Sequence, residues 1–225
     1  QAGSAVALQL RFDKDAVDLA ALPWELLALA GQHLVAAGRV QLTRYITFGQ
    51  TTPPYPVSDR LEMLSVVSRP VDALSLDAAA EINAIDAALS ELQAQRSAHI
   101  QRLTPPTYDA LVAALNAHPY HIVHFDGHGL FARLCPFCET YQLEDRTFCA
   151  TPGCGARLDD AALQGCLLFE RSADDRRADL VSAHQLGEAL AGRQVRLLVA
   201  SACQSATVGG ADVFSSVGPR LVLAG

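Results

Sequence analysis

Two short segments, 75 residues apart, hold the side chains best suited to covalent chemistry. The first is Asp126-Gly127-His128-Gly129, directly after the apolar run HIVHF (121–125). The second is Ser201-Ala202-Cys203-Gln204-Ser205, directly after the apolar run VRLLVA (195–200). A thiol becomes a nucleophile near neutral pH only beside a base or a cation, and an imidazole is the usual base. If the two runs are neighbouring strands, His128 and Cys203 meet. The flanking glycines are expected to turn the chain sharply and let a substrate approach. The backbone N–H groups of Gly129 and Cys203 are candidate donors to a developing oxyanion. Asp126 and Ser201 are candidates for orienting the loop or lining a substrate pocket. The competing reading is structural, since free cysteines and lone histidines are commonly buried packing residues.

A second constellation is Cys135-x2-Cys138-x10-Cys149-x4-Cys154. Four thiols within 20 residues, in CPFC and CATPGCG, sit in two tight turns, and two facing turns supply a tetrahedral thiolate set for Zn²⁺. Disulfides are the weaker alternative, because no secretory leader is seen and the cluster reads as a reducing-compartment metal site. All four positions are thiols, so the single Zn²⁺ is expected to be structural, with no open position for water. The segment between the turns, TYQLEDRTF, is expected to form a short hairpin. Cys166 lies in an apolar run and reads as core.

The elements that must position these groups alternate. Strands are expected at 5–12, 40–48, 61–67, 99–103, 121–125, 166–170, 195–200 and 221–224. Helices are expected at 24–37, 77–95, 108–116, from Ser182 with a Ser182/Gln185 capping box, and at 212–216. Ala78, Ile82, Ile85, Leu89 and Leu92 share one face of the second helix, with Asp77 as its N-cap. Strand–helix alternation and uniformly apolar strands predict an α/β fold with a mostly parallel sheet flanked by helices. Sites in such sheets form beyond the C-terminal strand ends.

The chain has 225 residues, 50% of them hydrophobic, with a net charge of −7. That apolar content excludes disorder and the charge disfavours broad nucleic-acid binding. The most apolar stretch, 19–31, contains Pro23 and Glu25 and is too short to span a bilayer, so no membrane association is expected.

HFDGHG (124–129) paired with SACQSA (201–206) resembles the His and Cys boxes of CHAT domains, members of the caspase-like cysteine peptidases that include metacaspases, separases and gingipains. ALPWELL (21–27), Arg44-Tyr45-Ile46, PYHIVHFDGHG (119–129) and ADLVSAHQL (178–186) are also similar to CHAT sequences. The resemblance implies a caspase-like sheet and a dyad in which Cys203 is the nucleophile and His128 the general acid/base. It implies a cysteine endopeptidase that cleaves a protein or peptide substrate. It also implies an effector domain working with a sensor or regulatory domain in a bacterial cytoplasmic protein, in some members for defence or cell death. Arg- and Lys-specific relatives carry an acid two positions before the nucleophile, where this chain has Ser201. The cysteine cluster resembles a zinc ribbon inserted into this framework.

The expected organisation is an N-terminal subregion (1–50), a linker (51–60, with TTPPYP), a first half of the caspase-like core with the His box (61–132), the zinc ribbon (133–158), and a second half with the Cys box (159–225) that reads as cut short. The ribbon follows His128 so closely that it is expected at the active-site mouth, where it steadies a loop or contacts protein. Its charges cancel, so nucleic acid is not an expected partner. The alternative function is an idle caspase-like scaffold whose ribbon docks a protein or nucleic acid. The charged stretch 170–179 reads as a solvated loop, or as one ordered or cut on activation.

Overall fold

The structure is a computed structural model that describes residues 5–13, 16, 19, 22–47, 60–75 and 78–203. These fall into two compact units. The smaller holds β1 (Val6–Asp13), a 3-10 turn (Trp24–Leu26), β2 (Ala28–Leu29), β3 (Gln32–His33) and β4 (Val40–Thr47). β1 and β4 pair in parallel from Val6↔Val40 to Asp13↔Thr47. The helix expected over 24–37 is not formed. Ala30 and Gly31 both have positive φ, 51° and 78°, and join β2 to β3 as a two-residue hairpin turn. Two successive left-handed residues terminate any helix and match the twist of paired strands. Its Leu- and Ala-rich composition, which favours helix, is overridden by that turn.

The larger unit follows the expected α/β alternation. It contains β5 (Leu61–Val67), α1 (Ala78–Ala94), β6 (Ala98–Arg102), α2 (Tyr108–Ala117), β7 (Ile122–Leu134), β8 (Tyr141–Leu143), β9 (Leu163–Glu170), β10 (Ala178–Ser182), α3 (Ala183–Leu190) and β11 (Leu197–Cys203). The sheet order is β10-β9-β7-β5-β6, with β11 and β8 also paired to β7. A parallel centre of β6, β5, β7 and β11 continues into antiparallel β9, β10 and β8. Thr107 caps α2 by accepting from the Ala110 N–H, and the Ser182/Gln185 capping box starts α3. The linker 51–59, the Asp77 cap and the expected elements at 212–216 and 221–224 lie outside the described residues.

β7 differs most from expectation. Its 13 residues run straight through DGHG to Leu134, where a turn was expected. The first half lies between β5 and β11; the second half pairs with β9 and β8. Ladders on both sides outweigh the poor strand propensity of Asp and Gly.

The strand pleat sorts the core. Leu64, Val66, Val123, Phe125, Leu167 and Phe169 pack on Leu111 and Leu115 of α2 and on Ala183, Leu186 and Ala189 of α3. Phe125 and Phe169 meet at 5.1 Å between ring centroids, and the Tyr108 hydroxyl donates to the Gln185 carbonyl at 2.8 Å. Alternate positions point to the other face. There Met63, Ser65, His124 and Asp126 are buried, so this face is largely polar. Cys166 is fully buried, as expected, and burial pushes its thiol up to about 12.

At the opposite, N-terminal end of these strands, the buried Glu62 carboxylate receives the Arg60 guanidinium, His99 Nδ1 at 2.8 Å and His118 Nε2 at 3.3 Å. Burial alone would raise the Glu62 pKa, but these partners outweigh it and hold the carboxyl below its ordinary 4.5. A lowered folded-state pKa stabilises the protein above the unfolded value, and that contribution is lost as pH falls through the folded value. Glu62→Gln is therefore expected to cost about 1–2 kcal/mol at pH 7. Urea unfolding should show this gap shrinking below pH 4.5 as the parent loses its ionic contacts.

Candidate active site

β7 and β11 run side by side in parallel, and their register pairs Asp126 with Ser201 and His128 with Cys203. Neighbouring strands are about 4.8 Å apart, and register partners share a face of the pleat. The two segments singled out in the sequence are thus brought together at the C-terminal end of the parallel centre. Both are strand residues rather than loop residues, because both strands run on past the apolar runs that were expected to end them.

The half-buried His128 ring places Nε2 2.7 Å from the carbonyl oxygen of Leu74. A carbonyl only accepts, so Nε2 carries the proton and the neutral ring keeps its lone pair on Nδ1. Leu74 belongs to the segment after β5. Nothing in its side chain, which is 83% exposed, announces this role, which belongs to the backbone.

Asp126 stands within a strand and not in a loop of its own to orient. It is a buried strand residue whose carboxylate pairs with the Arg69 guanidinium. Arg69 Nη1 also donates to the Asp126 and Ser68 carbonyl oxygens, each at 2.9 Å. Asp126 therefore orients the segment after β5 rather than its own. Ser201 is exposed. Arg69 was missed in the sequence, although a cation directly beyond a buried strand was a usable signal. A cavity of about 510 Å³ opens beside this pair, lined by Ser65, Val67, Arg69, Arg102, Glu170 and Arg176 among others.

Gly129 pairs with Leu167 of β9 inside the strand. Gly127 serves close packing rather than a turn. A Cβ there would lie 2.8 and 2.9 Å from ring atoms of Phe125 and 3.2 Å from the Ser68 carbonyl oxygen.

The cysteine insert grows from the end of β7. Tyr141–Leu143 pairs back on Ala132–Leu134 and closes a hairpin around Cys135 and Cys138; a Phe148–Arg157 bridge closes a second around Cys149 and Cys154. TYQLEDRTF is therefore split between two hairpins and is not one hairpin itself. Glu139, Gly153 and Gly155 take positive φ at the two turns. The four Sγ atoms lie within 4.8 Å of one another, so the cluster could hold a metal ion. The Thr140 hydroxyl, 3.0 Å from Cys138 Sγ, helps hold that thiol down to about 5. Arg133 ties the insert to its stem by donating to the Glu144, Leu158 and Ala161 carbonyls. The insert is not at the site's mouth. Six extended residues lie between His128 and Cys135, seven strand rises or a reach of roughly 23 Å.

Gly127→Ala is expected to destabilise the fold by about 1–3 kcal/mol, because the Phe125 ring in the core has no room to yield. Chemical denaturation measures it, and an unchanged midpoint would show that the ring can move aside.

Among the described residues, no helix is long and apolar enough to cross a membrane. No curated protein matches the sequence. The model of the CHAT domain family matches residues 1–225. With its whole length covered, the chain belongs to the CHAT domain family, whose members are generally of the caspase-like cysteine peptidase type.

Proposed function

We propose that this chain is a cysteine endopeptidase in which Cys203 is the nucleophile and His128 the general acid/base. The observation that carries the reading is the β7–β11 register, which pairs His128 with Cys203 in a family of peptidase type. The Leu74 carbonyl supports it further, since it leaves Nδ1 as the basic nitrogen of the ring. Nδ1 takes the thiol proton, and the thiolate attacks the peptide carbonyl carbon. The resulting oxyanion is received by the backbone N–H groups of Cys203 and Gly129. The ring then gives its proton to the leaving amine as the C–N bond breaks. Water, deprotonated by Nδ1, attacks the thioester; the acid product leaves and the thiol is restored. The Leu74 carbonyl stabilises the imidazolium that forms in each half-reaction.

The cavity beside Arg69 and Asp126 is the space for a substrate side chain. The substrate is a protein or peptide, the compartment is the cytoplasm, and a sensor or regulatory domain controls access in a bacterial defence or cell-death setting. The four cysteines form a zinc ribbon. A tetrahedral Zn–S bond near 2.3 Å requires S···S separations of about 3.8 Å. Cys135–Cys154 at 3.6 Å and Cys138–Cys149 at 3.5 Å fit that set, and both are far from a disulfide bond length. The insert's own core is only Cys135, Cys149 and Leu158, with Ala156 and Ala161 beside them. A core that small needs the metal to hold its shape.

Cys203→Ala is expected to abolish cleavage of a protein substrate by on the order of 10³-fold or more without changing the melting curve. In the parent, iodoacetamide at pH 7 should alkylate Cys203 first, as read by peptide mass mapping. Equal cleavage by parent and variant would overturn the assignment. Cys135→Ser with Cys138→Ser should remove one equivalent of zinc by elemental analysis and expose the 133–158 segment to proteolysis. A full zinc complement in that variant would place the metal elsewhere.

A further inference from the structure

The chemistry proposed above requires one tautomer of His128, and that tautomer depends on where the Leu74 carbonyl sits. Residues 68–75 belong to no strand or helix, and Val71 and Leu74 are 65% and 83% exposed. Ser68 and Pro70 are buried, but the packing of 71–75 is too slight to hold a backbone oxygen against an imidazole. They are held from two sides. One is the Arg69–Asp126 pair to β7. The other is the turn between β9 and β10, whose Arg176 also lines the cavity proposed for a substrate side chain.

That turn grips the segment at three points. The Val71 N–H donates to the Arg176 carbonyl at 2.9 Å. Arg176 Nη2 donates to the Arg69 carbonyl at 3.3 Å. The Ala178 N–H donates to Asp72 Oδ1 at 2.8 Å. The turn is itself stiff. The Arg171 N–H reaches the Arg177 carbonyl at 2.9 Å, and the Ser172 N–H reaches the Asp175 carbonyl at 3.0 Å. Asp175 pairs with both Arg171 and Arg177. Arg176 is anchored by a two-point contact, Nε and Nη2 each donating at 2.9 Å to the Glu170 carboxylate, which is only 4% exposed. A fork of this kind fixes direction as well as distance. The charged stretch between the strands, 171–177, is solvated as expected, and it is also braced.

We propose that the β9–β10 turn is a strap that positions the general base: Arg176 and Asp72 hold residues 68–75 so that the Leu74 carbonyl selects the Nε2–H tautomer of His128. Arg176 and Asp72 are positioning residues that act through Leu74. The inference rests on the peptidase reading for its consequence but not for its geometry.

The test uses the full chain with ¹⁵N-labelled histidine and the variants Asp72→Ala, Asp72→Asn, Arg176→Ala and Arg176→Lys. The parent should show His128 as a single Nε2–H tautomer at pH 8. Asp72→Ala and Arg176→Ala should turn that signal into a mixture of tautomers and slow iodoacetamide alkylation of Cys203 about ten- to a hundredfold. Melting temperatures should stay within a few degrees of the parent. Asp72→Asn keeps an Oδ1 acceptor and should behave as the parent. Arg176→Lys keeps the charge but not the fork and should behave as Arg176→Ala. The proposal is overturned if both alanine variants keep the parental tautomer and alkylation rate, or if Asp72→Asn is as impaired as Asp72→Ala. Should an alanine variant unfold, the contrast between Asp72→Asn and Arg176→Lys decides the matter. A parent whose Cys203 resists alkylation sinks the peptidase reading, while the tautomer measurement still judges the strap.

Discussion

The β7–β11 ladder is the constraint on which the rest of this molecule turns. Parallel pairing from Leu197↔Ile122 to Cys203↔His128 leaves no freedom in which residues stand opposite one another. A slip of one residue would send every side chain of β11 to the other face. Leu198 and Ala202 of β11 pack against the apolar core while Leu197 and Val199 are exposed, so such a slip is costly. The apolar core therefore does more than stabilise the sheet: it sets the register at its reactive end.

β7 also unites three regions. Its first half is the centre of the parallel sheet, its middle carries His128, and its far end is the stem of the cysteine insert. Gly127 and Gly129 make this continuity possible in different ways, Gly127 by leaving room for the Phe125 ring and Gly129 by continuing the strand onto β9. The insert is consequently a rigid outgrowth, braced by Arg133 and set well away from His128. Its exposed Phe137 and Phe148 lie on that outgrowth rather than in the site.

Charged groups near the site act mainly on one another. Arg69 is occupied by Asp126, Arg176 by Glu170, and Arg102 by Asp86. Such pairs contribute little net stability where exposed, but buried partners such as Asp126 and Glu170 fix geometry because leaving them unpaired is costly. The segment carrying Leu74 is the beneficiary, since it has no ladder of its own.

The residues alone determined which groups could react and roughly where the elements fall. Period and composition located β5, α1, β6, α2 and α3, and the cysteine spacing defined the insert, because burial and turn chemistry are written locally. The reading failed where long-range pairing beat local preference: at DGHG, which is strand, and at Ala30-Gly31, which turns a helix-like stretch into a hairpin. It could not reveal Arg69 on Asp126, or the Leu74 carbonyl on His128. Every residue has a carbonyl, and only the folded chain decides which one faces a given imidazole. Side-chain chemistry is a property of residue type, whereas the tautomer of His128 is a property of position, set by contacts 54 residues apart in the chain.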